Sequence, residues 1–259
     1  MFRPCYPDGR TRFTVDRCGT LYRLWFEGYG RYVVAADGSE VACQREGVGR
    51  AWRERFLFAQ ALPLAAILRG FDLLHASAVC GKRGVAAFVA PSGLGKTTLA
   101  SRLVVRGAGF MTDDALALSP WPGGPLAHPG APFMAVPHGD RGMLTQPAAR
   151  AALSPSGTTS DKLHAYPRTG VQALPLLAVF YLERARRLRL TELEDVGPTR
   201  LLASVLAPYV GSAERLACRL EVAHQVSCHV RQYLLQLPAG SDSRPTLEAV
   251  EARLQELRL

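Results

Sequence analysis

The stretch Ala90-Pro91-Ser92-Gly93-Leu94-Gly95-Lys96-Thr97-Thr98 constrains this chain more than any other. It follows an apolar, strand-like run, Gly84-Val-Ala-Ala-Phe-Val-Ala90, and leads into a helix-like segment from Leu99 to Val105. A phosphate chain is heavily solvated, so a protein must replace its water with many converging N–H donors. A glycine-rich turn entering a helix supplies them, because its backbone can wrap closely and the helix start adds partial positive charge. At this spacing Pro91, Ser92, Gly93, Leu94, Gly95, Lys96, Thr97 and Thr98 form a nucleotide cradle. Lys96 would reach the β- and γ-phosphates and the Thr97 hydroxyl would ligate Mg²⁺. The first position of the usual pattern is glycine, whereas here it is Ala90, which tolerates the extended backbone of a strand end.

Two acids follow closely. Asp113 and Asp114 come 17 and 18 residues after Lys96, one helix and one short apolar run later. A strand there runs parallel to the one feeding the glycine loop, so its end lies beside the phosphate site. Adjacent carboxylates can then divide two tasks, one holding Mg²⁺ and the other taking a proton from an attacking hydroxyl. Leu73–Val79 and Gly84–Ala90 read as a hairpin turning on Lys82-Arg83. Gly81 then faces Gly84, and counting back puts His75 opposite Ala90, at the mouth of the loop. A histidine there can contact a phosphate or orient an aspartate.

The rest of the chain divides around this core. Residues 1–70 read as a small β-rich lobe with a connecting helix, and 71–259 as the nucleotide-binding domain. Short apolar runs at Phe13–Val15, Leu21–Phe26, Tyr32–Ala35 and Glu40–Cys43 are punctuated by glycine turns. Apolar residues at helical spacing run from Ala51 to Leu68, with a junction at Pro63. Residues 119–175 are rich in Pro, Gly, Ser and Thr, and Ser154–Ser160 reads as the most loop-like part. Leu176–Leu182 is a further buried strand, and Pro245–Leu257 a helix with Leu247, Val250, Leu254 and Leu257 on one face.

Composition excludes several classes. No apolar run is long enough to span a bilayer and the first residues lack a hydrophobic signal core, so a cytoplasmic protein without a membrane partner is expected. Six dispersed cysteines with no C-x-x-C pair argue against a zinc ribbon, a redox dithiol or a disulfide scaffold. The net charge of +9 suits an acidic or phosphorylated partner. The basic residues are scattered, and no nucleic-acid-binding signature accompanies them, so nucleic acid is not the expected partner. A homo-oligomer remains compatible with the sequence.

Taken in order, Leu74-His75-Ala-Ser-Ala-Val79, the hairpin, Ala90–Thr98, and Gly109-Phe-Met-Thr-Asp113-Asp114 resemble the HPr kinase/phosphorylase family. The resemblance is closest to its smaller HPr-kinase-related members, including those found with peptide-modifying gene clusters. It covers about residues 70–120. It implies an α/β fold, a P-loop kinase core of the HPr kinase/PEP carboxykinase-like type preceded by a small β-rich N-terminal lobe. It also implies ATP- and Mg²⁺-dependent phosphorylation of a serine on a peptide or small protein. By position Asp113 matches the family's catalytic acid/base, Asp114 its neighbouring carboxylate and His75 its active-site histidine, beside Lys96 and Thr97 of the loop. The bifunctional enzymes carry Glu-x-Arg-Gly downstream; Asp140-Arg141-Gly142 has a different acid and no spacer, so a phosphorylase activity is not implied. Lys162 and Arg168 are the candidates to neutralise a transferring phosphoryl group.

A small-molecule kinase and a nucleotide-gated binding module share the same loop and remain open. Transporter ATPases fit less well, because no Leu-Ser-Gly-Gly-Gln segment is present. Guanylate kinases place the loop near the chain start, whereas about 90 residues precede it here.

Overall fold

The computed structural model describes residues 13–44, 47–168, 172–194, 196–206, 211–239 and 244–259. The first ten residues, read above for a signal core, lie outside them. The described chain is a mixed α/β protein with three sheets.

A four-stranded antiparallel meander comes first: β1 (Phe13–Cys18), β2 (Leu21–Phe26), β3 (Gly30–Ala35) and β4 (Val41–Gln44). Alternation along these strands puts Phe13, Val15, Leu24, Tyr32 and Val34 on one face, packed on Phe56, Ala61 and Leu64 of the helical segment that follows. That segment is α1 (Arg50–Phe56), one π-helical turn (Leu57–Ala61) and α2 (Leu62–Leu68). The expected junction at Pro63 therefore takes the form of a π-bulge just before it. Proline brings no N–H to continue the ladder, and the Leu62 N–H bonds back to Leu57 instead.

The central sheet is built around β7 (Val85–Val89). One face carries Ala86 and Phe88 against Leu99, Leu103 and Val104 of α3 (Lys96–Val105) and Leu247, Val250 and Leu254 of α8 (Arg244–Glu256). The other carries Val85, Ala87 and Val89 in the same cluster as Val222, Ala223 and Val226 of α7 (Ala213–His229). Layers on both sides explain why β7 is apolar at every residue rather than alternating. On one side β7 pairs in parallel with β14 (Leu174–Ala185), which pairs in parallel with β16 (Arg231–Pro238). On the other it pairs antiparallel with β6 (Ala76–Cys80), in the counted register, from Cys80 opposite Val85 to Ala76 opposite Val89.

The strand leading to the acids, β8 (Gly109–Thr112), runs in the same direction as β7, with β6 between them. Its pairing with β6 contains a bulge: Val79 opposes Phe110, but Ala78 opposes Thr112. β5 (Asp72–Leu74) pairs with β9 (Leu116–Ser119). The bend from β5 to β6 at His75 and the turn from β8 to β9 at Asp113–Ala115 therefore lie side by side. Two chain crossings between strand sets meet at one place, and it is where the titratable residues sit.

One expectation fails. Ser154–Ser160 is not a loop. Most of it belongs to β12 (Leu153–Thr158), the edge of a three-stranded sheet with β13 (Lys162–Pro167) and β11 (Met134–Pro137). Pro155 and Gly157 are accommodated by an edge position and a register shift between them, which composition alone does not reveal. Other strands were not anticipated either, among them β11 and β13 of that sheet and, towards the end of the chain, β15 (Arg189–Leu193) and β16.

Candidate active site

Gly93 and Gly95 adopt φ of 84° and 97°, a region costly for side-chain-bearing residues, and a Cβ at either would meet nothing within 4 Å. The glycines thus serve backbone conformation and leave open space over the loop. Ala90 has no such requirement: among the described residues only Asp114 and Arg258 have positive φ without being glycine. Gly95 caps α3, a helix of ten residues whose first-turn N–H groups face the loop. Lys96 lies across this turn, its Nζ donating to the carbonyls of Ala90 at 2.8 Å and Pro91 at 3.4 Å. Burial pushes its ammonium pKa down, opposed by Asp114 and Asp113 and reinforced by Lys162.

Asp113 is wired to three elements. Its Oδ1 accepts from the Ser77 hydroxyl at 2.6 Å and the Thr97 hydroxyl at 2.8 Å, and its Oδ2 from the Ala135 N–H at 3.1 Å. Burial, and then the adjacent Asp114 charge, raise its pKa to about 6, against the pull of those donors. Asp114 is held at φ 65°, a strained conformation for a residue with a side chain. The chain folds back there, the Ala115 N–H bonding to the Asp113 carbonyl at 2.9 Å.

His75 lies within electrostatic reach of both groups. Burial and then the Lys96 charge depress its pKa to about 4, while Asp113 and the Asp114 main chain oppose them. The imidazole is therefore neutral at pH 7. The His75 main-chain N–H donates to the Ser204 carbonyl at 2.7 Å.

His75, Lys96, Thr97, Asp113 and Asp114 are thus brought together from three separate segments. Thr98 points elsewhere: its hydroxyl donates to Asp140 at 2.7 Å, and Asp140 also pairs with Arg102 at 2.7 Å. Asp140 thereby ties the His138–Asp140 turn to the side of α3. Lys162, at the start of β13, is close enough for its charge to act on Lys96, whereas Arg168 lies past the far end of that strand. Six extended residues span roughly 20 Å, so the two cannot serve the same phosphate.

Sequence reasoning missed Ser77, which lies inside β6, two residues beyond the His75 bend. It also missed Arg55. That guanidinium grips Asp161 through Nη1 at 2.6 Å and Nη2 at 3.0 Å, next to Lys162 and 106 residues away in sequence. No local pattern announces such a contact.

Beside the two carboxylates opens a cavity of about 320 Å³, lined by Phe58 and Leu62 of the helical segment and by Leu73 and Phe133 opposite.

The donor set suits a small hard cation. Mg²⁺ binds through one or two carboxylates plus phosphate oxygens, and the Thr97 hydroxyl with Asp113 and Asp114 offers oxygen atoms only. Among the described residues there is no cluster of three or more His, Cys, Asp or Glu side chains that would hold a metal without phosphate. No described helix is long and apolar enough to cross a membrane.

No family model and no curated protein matches the chain. Among solved structures, the HPr(Ser) kinase/phosphatase from Coxiella burnetii is similar at a TM-score of 0.38 and 12% identity, over 72% of this chain and 97% of that one. A likeness of that size does not transfer chemistry from one chain to the other.

Proposed function

We propose that this protein is an ATP- and Mg²⁺-dependent kinase that phosphorylates a serine hydroxyl of a peptide or small protein. The reading is carried by the hydrogen bond from Thr97 to Asp113, which joins the first turn after a glycine loop to a carboxylate at a strand end. The open cradle at Gly93 and Gly95, the α3 N-terminus and Lys96 support triphosphate binding. Lys96 exchanges its carbonyl partners for phosphate oxygens. Thr97 and Asp114 would hold Mg²⁺, which when bound would neutralise phosphate charge. Lys162 supplies positive charge from the β13 side.

Asp113 serves as the proton acceptor. A carboxylate with a pKa near 6 is ionised at neutral pH yet more basic than an ordinary aspartate, which suits it to take a hydroxyl proton. Its donors hold it in place, and three bonds leave part of its lone-pair capacity free. The serine oxygen bonds to the terminal phosphorus, the bond from that phosphorus to its bridging oxygen breaks, and ADP leaves. The serine proton passes to Asp113. Neutral His75 orients the acid pair.

The test is mass spectrometry of serine-containing peptides incubated with the protein, ATP and Mg²⁺. The expected product carries one phosphate on serine, and Lys96→Ala removes it. Phosphorylation that survives unchanged in Lys96→Ala would end this reading.

A further inference from the structure

The cavity beside the acid pair has a chemistry that the phosphate site does not explain. Its walls are Phe58, Leu62 and Ala66 on the helical side, and Leu73, Ala117 and Phe133 on the core side. The Phe58 and Phe133 rings close one flank, with centroids 4.8 Å apart. The space exists because alanines stand at 66, 117 and 131 where larger residues would fill it. Leu62 remains 37% exposed, so this wall is reachable from solvent.

Among the lining side chains only Thr112, Asp113 and Asp114 are polar, and they are consecutive in the chain. The Thr112 hydroxyl is already bonded to the Ala115 carbonyl at 2.7 Å, so the two carboxylates remain as the polar partners facing an occupant. A volume of about 320 Å³ corresponds to about ten waters at ~30 Å³ each, held mostly against hydrocarbon. Such water is readily displaced by an apolar group. Free serine would leave the walls uncovered, and a nucleoside would find no hydrogen-bond partners for its base on them. An occupant needs an apolar body with a hydroxyl at its carboxylate end.

We propose that this cavity receives one bulky apolar side chain, Phe- or Leu-sized, lying within two residues of the acceptor serine in a peptide substrate. The inference rests on the kinase reading above and gives it a substrate class. It also assigns the front helical segment a direct part in specificity, since Phe58, Leu62 and Ala66 of that segment form one wall.

The experiment is a peptide series with serine in a glycine background, carrying Phe, Leu, Ala or Asp at each of the two positions on either side. Transfer with ATP and Mg²⁺ is followed by mass spectrometry. At one position Phe or Leu should raise kcat/KM over Ala by about tenfold to a hundredfold, mainly through KM, as burial of one such side chain gives. That ratio should collapse toward one in Ala66→Trp, which fills the space, and fall in Leu62→Asn, which alters a half-exposed wall and is the milder change for folding. Equal transfer to all peptides, or a preference that persists in both variants, overturns the cavity assignment and leaves the kinase reading standing.

A second readout separates the two ideas. Fluorescein-labelled versions of the same peptides are titrated by anisotropy with ADP and Mg²⁺ present. Tighter binding of the Phe peptide, lost in Ala66→Trp, with no transfer under any condition, would sink the kinase reading and retain the apolar side-chain site. Equal binding without transfer would sink both.

Discussion

The Thr97 hydroxyl donates to the Asp113 carboxylate across 2.8 Å, tying the first turn of α3 to the end of β8. The glycine loop and the acid are therefore one unit, although neither belongs to the other's strand or helix. A change on either side should be felt on both, in ways that separate binding from transfer.

Asp113→Asn retains the shape and removes the base. Transfer should fall by about 10²–10⁴-fold, the range for loss of a positioned proton acceptor, while ADP binding measured by calorimetry stays within a few-fold. Full transfer in this variant would exclude the assigned role.

For Asp114 the expectation differs. Asp114→Asn should raise the Mg²⁺ concentration giving half-maximal transfer, with activity partly restored at high Mg²⁺. An unchanged Mg²⁺ dependence would show that the cation is held without it. Asn also tolerates the left-handed backbone at this position better than most residues, so folding should survive.

The pH behaviour follows from opposed shifts. Asp113 titrates at about 6 in the folded protein against an ordinary value of 3.8. The folded state thus binds the extra proton between these values, and the contribution to stability falls as pH rises through that window. His75 titrates at about 4 against 6.5, so its contribution rises with pH over nearly the same range. The two largely cancel in the parent protein. His75→Gln should uncover stability that declines from pH 4 to 6, and Asp113→Asn should uncover the reverse, both read from melting temperatures. In catalysis, kcat/KM should rise through about pH 6 as Asp113 ionises. Ser77→Ala removes a donor that lowers the Asp113 pKa, and should move that limb upward. A limb that stays put would mean another group sets it.

Arg55 and Asp161 form a bidentate pair between the front helical segment and the turn that carries Lys162. The pair is partly exposed, so Arg55→Ala should cost folding no more than about 1 kcal/mol. Its effect on transfer should be larger, about tenfold, because Lys162 loses its support. Arg55→Lys should rescue poorly, since an ammonium cannot reproduce the fork. Equal losses in stability and transfer, with rescue by lysine, would reduce the pair to simple packing.

Much of this site was legible in the sequence because it is local. Glycine spacing announced the loop, counting from the Lys82-Arg83 turn gave the β6–β7 register, and a short apolar run pointed to the acids. Counting residues around Lys82-Arg83 placed His75 at the end of the hairpin, and pairing stops one residue short of it, at Ala76 and Val89. What escaped was long-range. Arg55 meets Asp161 across 106 residues, and the Ala135 N–H reaches Asp113 across 22. Neither has a period or a spacing to betray it. The β12 edge strand was hidden because proline and glycine read as loop, though an edge with a register shift accepts both.

The bulge in β8 carries a consequence of its own. Beyond it the Ala78–Thr112 pairing sets Asp113 opposite Ser77, whereas the Val79–Phe110 register, continued without interruption, would have set Thr112 there and turned the aspartate to the opposite side of the sheet. A single supernumerary residue near Met111 thus decides whether this protein has an acid at its glycine loop. Excising that residue would leave every side chain of the site in the chain and dismantle the site nonetheless.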